Sequence, residues 1–220
     1  MKFRIVSAHF GSKKPWDITP QSKHNFSFKY YDDNNTHSRE MAMHTRLKSK
    51  IPKMLEWRFH KADWYIWMDS SIRINPQSDL PEEVLKTSQG APLCLFKHPS
   101  LHTIEEEAQV ITRKTRPDLP YFYERFKGEP INQQINSYLA DSNFNDNALF
   151  QMTFFAYHYS ARYLMQEWFL QNCIFTIKDQ LSFPYVLTKS KLKYSLFSGS
   201  VANNHMFKWD WKSREQLPRR

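Results

Sequence analysis

Five apolar or aromatic residues in a row, Trp64-Tyr65-Ile66-Trp67-Met68, run directly into a carboxylate and two hydroxyls, Asp69-Ser70-Ser71. A run this short, bulky and unbroken reads as a strand buried on both faces, and such a strand needs helices above and below its sheet. That demand restricts the chain more than any other feature. In open α/β sheets, ligands bind outside the carboxyl ends of the strands, where this order puts Asp69. The plainer alternative is that Asp69 caps a turn.

The rest of the chain fits the same plan. Residues 3–8 and 26–31 read as strands, the first ending at His9 and the second at Asp32 and Asp33. Residues 39–61 read as helix in two pieces, with Pro52 admissible only in the first turn of the second and Leu55 and Phe59 on one face. That segment carries Arg39, Arg46, Lys48, Lys50 and Lys53, either a solvated basic face or a phosphate-binding one. A short helix over 80–86 precedes a buried strand over 92–97, which ends at His98-Pro99. Thr103 and Glu106 form a capping box, with Glu105 to Glu107 on the positive end of the helix dipole and Pro117 stopping the helix. Helix over 130–140, strand over 149–159, a helix capped by Ser160, a helix opening near Asp179 and a late strand over 194–197 complete the alternation. Strands alternating with helices imply an α/β fold with a largely parallel central sheet flanked by helices.

With 220 residues the expectation is one domain over residues 1–200, followed by a basic tail over 201–220. Four glycines leave no G-x-G-x-x-G or Walker pattern. Cys94 and Cys173 both lie in apolar runs and read as buried free thiols. No run of about 18 apolar residues is present to span a membrane, and no signal-peptide core opens the chain, so a cytoplasmic protein is expected. The net charge of +9 favours acidic partners: phosphates, nucleic acid or an anionic membrane surface.

Polar groups recur at strand ends: His9, Asp32, Asp33, Asp69 and His98. Repeated over consecutive strands, they suggest one crevice. Asp69 could hold a divalent cation on a diphosphate, since hard cations prefer carboxylate and phosphate oxygens. Two residues on, however, stands Ser71 rather than a second carboxylate. His98, His102 and Glu106 have metal-ligand spacing, but Glu106 already has a capping role, and His98 reads instead as a substrate contact. Asp179-Gln180 at a helix start is either ordinary capping or a carboxylate aimed at a sugar hydroxyl. His205, after the last strand, could fold back as a metal ligand.

Taken in order, Trp64 to Asp69, then Lys97-His98-Pro99 with Glu105-Glu106-Glu107-Ala108, then Gln134 and Tyr138, then Lys178-Asp179-Gln180-Leu181-Ser182-Phe183, the chain resembles the TOD/MUCI-like glycosyltransferase family of plants and their bacterial relatives. The resemblance runs over about residues 4–187. It implies a single GT-A-like nucleotide-sugar domain, with Asp69 in the place of that fold's metal-binding Asp-x-Asp motif. The implied activity is transfer of a hexosyl or related sugar from a nucleotide-diphosphate donor, such as a UDP-sugar, to a hydroxyl acceptor in glycan or surface polysaccharide synthesis. His9, Lys13 and Asp32 would meet the nucleotide. Asp69, with Mn or Mg or helped by Lys48 and Lys50, would stabilise the leaving diphosphate. Asp179 would orient or deprotonate the acceptor. Ser71, His98, Glu106, Gln134 and Gln180 are the further substrate-binding candidates, and Asp69 and His205 the metal candidates. Contact with a membrane surface would suit the basic charge. Two rivals stand beside this: a nucleic-acid-binding module, which the burial expected for most aromatics disfavours, and a metal-assisted hydrolase using the same acidic crevice.

Overall fold

The Trp64–Met68 run is strand β3, buried at all five positions and set inside a six-stranded sheet. The computed structural model describes residues 1–10, 21, 24–36, 43 and 45–210. Sheet order is β2 (Asn25–Tyr31), β1 (Lys2–Ala8), β3, β6 (Phe150–His158), β5 (Leu93–Lys97), β7 (Ser195–Leu196). β1 pairs in parallel with β2 and β3, and β5 with β7. β6 alone runs against its neighbours β3 and β5. The α/β class and the largely parallel sheet expected from the sequence are both present.

One face of the sheet (Val6, Tyr65, Trp67, Phe155, Tyr157) packs on helices α1 (Thr45–Leu55), α6 (Arg162–Ile174) and α7 (Asp179–Ser190) through Met54, Leu164, Trp168 and Phe183. The other face (Ile5, Ile66, Met68, Phe96, Phe154) packs on α2 (Leu80–Ser88) and on a small antiparallel ribbon of β4 (Ile72–Ile74) and β8 (Phe207–Trp209). A third cluster joins α3 (Ile104–Lys114), α4 (Pro120–Phe126) and α5 (Ile131–Leu139). Two-sided burial is why every residue of β3 can be apolar.

Several expectations need correction. Pro52 lies inside a single helix α1, the Glu56–Arg58 segment following as a 3-10 turn. Pro52 therefore removes the hydrogen bond that the Lys48 carbonyl would receive. Leu55 and Phe59 do not share a buried face, for Phe59 is 41% exposed. Ser160 does not cap α6; it sits in a 3-10 turn bonded to His158 Nδ1, and Ala161 precedes the helix. Cys173 is exposed, while Cys94 is buried and its thiol is pushed up to about 12 by burial. The stretch from Val201 to Trp209 is not trailing chain: Val201, Met206 and Phe207 are core residues, and Phe207–Trp209 pairs with β4. Ile72-Arg73-Ile74 was too short to declare itself as a strand without that partner.

Candidate functional site

At the carboxyl end of β3 the main chain turns sharply. Asp69 N–H donates to the Thr153 carbonyl at 2.9 Å, and Ile72 N–H donates to the Asp69 carbonyl at 2.9 Å. The Asp69 carboxylate therefore leaves the sheet edge with its side chain 25% exposed. Trp67, two residues back on the same face, donates its indole N–H to Asp69 Oδ1 at 2.9 Å. Ser70 Oγ lies 3.2 Å from His9 Nδ1, and His9 N–H is held by the Tyr31 carbonyl at 2.9 Å. The ends of β1, β2 and β3 thus meet at one edge.

Behind Asp69 lies a buried charge centre assembled from distant parts of the chain. Asp179, first residue of α7, does not cap that helix. Its Oδ2 receives Lys50 Nζ at 2.6 Å and Lys53 Nζ at 2.7 Å. Lys53 also donates to the Met152 carbonyl at 2.6 Å and stands 4.0 Å from Asp69 Oδ1. The indole N–H of Trp168 donates to the Asp179 carbonyl at 2.9 Å, and the rings of Trp67, Phe155 and Trp168 surround the Lys53 ammonium at 5.3–5.7 Å. Met152 can accept from Lys53 because β6 bulges there. Its register against β5 jumps between Leu95, which faces Phe155, and Phe96, which faces Gln151. The bulge takes residues 152–154 out of the β5 ladder, a common device beside active sites.

Electrostatics set the protonation states. Burial opposes ionisation of Asp179, but the two lysines outweigh it and hold its carboxyl far below the usual range. Burial lowers the Lys50 ammonium to about 8, with Asp179 opposing the shift and Lys53 adding to it. Near neutral pH Asp179 is therefore a carboxylate facing the Lys50 ammonium.

Of the candidates named from sequence, His9, Asp69, Lys50 and Asp179 come together here. Asp32 sits at the neighbouring strand end, where its Oδ1 accepts from Asn34 N–H at 2.9 Å. Lys48 is buried and makes no hydrogen bond or ion pair among the described residues. Lys13 lies outside the described residues. Other candidates have structural work. Gln134 is fully buried, donating to Tyr138 Oη at 3.0 Å and accepting from Thr176 Oγ1 at 2.7 Å. Glu106 completes the capping box and accepts from His102 N–H at 2.6 Å. His98 Nδ1 accepts from Leu101 N–H at 2.9 Å, and burial lowers its pKa. Gln180 donates to the Phe150 carbonyl at 3.3 Å. Ser71 is buried in the turn, and its carbonyl accepts from Asp210 N–H at 2.9 Å.

Lys53 is the residue that sequence reasoning placed only in a basic segment. Its signal was the i, i+3 spacing from Lys50, which puts both on one helix face. The contributions of Met152 and Trp168 had no local signal, while Trp67 had only its i, i+2 place beside Asp69.

Among the described residues no group of three or more His, Cys, Asp or Glu side chains is placed to hold a metal ion. Asp69 Oδ1 already accepts from Trp67, and the ammonium beside it repels a second cation. His205, the other metal candidate, pairs with Glu83 at 3.2 Å on the α2 side of the sheet. The sheet aromatics Tyr65, Trp67, Phe154, Phe155 and Tyr157 are buried and present no stacking surface, whereas Tyr121, Tyr159, Tyr163 and Tyr194 are exposed.

Among solved structures, one that matches is described as a glycosyltransferase involved in the glycosylation of the major capsid of PBCV-1. The two are 11% identical, the match covers 89% of this chain and 80% of that one, and the TM-score is 0.46, too low to carry an argument here. No curated protein matches. The family comparison is decisive: residues 37–212 match the family described as TOD1/MUCI70, glycosyltransferase-like domain, and the chain belongs to that family.

Proposed function

We propose that this protein transfers a sugar from a nucleotide-diphosphate donor to a hydroxyl acceptor. The observation that carries this reading is the meeting of His9, Asp69 and Ser70 at one sheet edge with the buried Lys50–Asp179–Lys53 centre behind them. Such an edge is the ordinary ligand position of an α/β sheet, and the chain belongs to a glycosyltransferase-like family. His9 and Asp32 face the nucleotide. Lys48, whose charge no described residue neutralises, supplies positive charge toward the diphosphate, where stabilising the leaving group lowers the barrier most.

Asp179 orients a hydroxyl rather than taking its proton. A carboxylate held far below the usual range is a weak base, and general bases work best with pKa values near the operating pH. Synthesis of a glycan or surface polysaccharide on the cytoplasmic side of a membrane fits the basic charge. Among the described residues no helix is long and apolar enough to cross a bilayer.

The test is thermal unfolding with UDP, GDP and CDP, followed by transfer assays with the Asp69→Ala variant. A nucleotide at about 100 times its Kd adds about 2.7 kcal/mol, a shift of roughly 5–11 °C for a domain this size. Asp69→Ala should abolish transfer with the fold intact. No shift with any nucleotide, or an active variant, refutes the reading.

A further inference from the structure

Arg125, next to last in α4, carries a charge that no carboxylate of the described residues pairs. Of its five N–H groups one has a partner there, Nη1–H donating to Tyr121 Oη at 2.9 Å. Its Nε–H is buried and makes no hydrogen bond. We propose that Arg125 is the anion clamp of this site, donating from its guanidinium fork to phosphate oxygens of the donor's diphosphate. This rests on the donor reading above and names the group that meets the diphosphate.

Three observations lead to it. The first is position. The end of α4 is tied to the start of α7, where Asp179 receives Lys50 and Lys53. Phe126 belongs to one apolar cluster with Leu181, the third residue of α7, and Glu129 Oε2 accepts from Ile177 N–H at 2.9 Å. Arg125 is close enough for its charge to act on Lys50: burial lowers that ammonium to about 8, and Arg125 adds to the lowering. The second is cost. A long cation at a helix end ordinarily carries its head into water. Arg125 instead buries an unpaired N–H and repels a buried ammonium, with no carboxylate to offset either. An anion bearing several oxygens removes both penalties. The third is form. The guanidinium lies against the rings of Phe126 and Tyr121, 5.0 and 5.9 Å from their centroids, which holds its orientation before a ligand arrives. A planar fork matches two oxygens of a phosphate, whereas an ammonium meets them only as a point charge.

The experiment is calorimetric titration with UDP, GDP, CDP and inorganic pyrophosphate, at low and at high salt, of wild type and Arg125→Met. At low salt the variant should bind the preferred nucleoside diphosphate, and pyrophosphate, about 10-fold or more weakly than wild type. The gap should narrow at high salt, because screening weakens the contact that wild type alone makes. If Arg125→Met does not fold, Arg125→Lys takes its place; it keeps the charge but loses the fork, and should bind about 3-fold or more weakly. A folded variant within about 2-fold of wild type at low salt overturns the inference and leaves the donor reading standing. A loss of the same size at both salts also overturns it, since that marks damage to the fold rather than a missing ionic contact. Wild type that binds pyrophosphate through Arg125 but no nucleotide refutes the donor reading and leaves Arg125 an anion clamp. Wild type that binds neither refutes both.

Discussion

Replacing Asp179 with asparagine removes the single carboxylate that two buried ammoniums share. Lys50 and Lys53 lie 2.6 and 2.7 Å from the same oxygen, and both residues are about 95% buried. Leaving such charges unpaired costs about 3–5 kcal/mol, or roughly 6–20 °C in Tm at this chain length. A ceiling follows from proton loss. Holding one lysine neutral at pH 7, against an unfolded pKa of about 10.4, costs about 4.6 kcal/mol. Lys50, already lowered to about 8 with its partner present, is the lysine that gives way.

The pH dependence gives the sharper signature. Between pH 7 and 8 the folded variant then binds one proton fewer than its unfolded chain, so its stability rises by about 1.4 kcal/mol per pH unit. In the wild type Lys50 stays largely protonated below about 8, and this group contributes much less slope. Urea denaturation of both proteins at pH 7.0, 7.5 and 8.0 measures the difference directly. The destabilisation should be large at pH 7 and narrow toward pH 8. A loss below about 1 kcal/mol, or one that does not change with pH, would show that the lysines are not held by Asp179 as described.

Three further outcomes test other parts of the fold. Thr103→Ala removes the side chain that accepts from Glu106 N–H at 3.0 Å and should cost about 1 kcal/mol by chemical denaturation. Gly199 has φ +80°, and an added Cβ would fall 2.3 Å from the Asn203 carbonyl oxygen; Gly199→Ala should therefore cost about 1–3 kcal/mol in the same assay. Thiol titration of the native protein should find one reactive cysteine, Cys173, with Cys94 reacting only after unfolding. Two reactive thiols in the native state would contradict the burial of Cys94 beneath α2.

The sequence by itself determined what local chemistry can encode. An unbroken apolar run required a strand buried on both faces, and Trp64–Met68 is one. The Thr103–Glu106 capping box started a helix because both halves of the signal lie within one turn. Asp179 opens α7 as the sequence suggested, although Pro184 lies inside the helix and removes the bond that the Gln180 carbonyl would receive. Asp69 at a strand end was legible for the same reason, since strand length and polarity are local properties.

Tertiary structure decided the rest. Asp179 stands 129 residues from Lys50 and 126 from Lys53, so nothing in either segment indicates that they meet. Their pairing exists because α1 and α7 pack on the same face of the sheet. β4 needs β8 to be a strand, and His205 reaches Glu83 rather than Asp69 because the chain returns on the α2 side. Gln134 looked like a substrate contact, but it is fully buried and its amide bonds Tyr138 and Thr176. A polar residue's type gives the bonds it can make, but only the packed neighbours determine which are already taken.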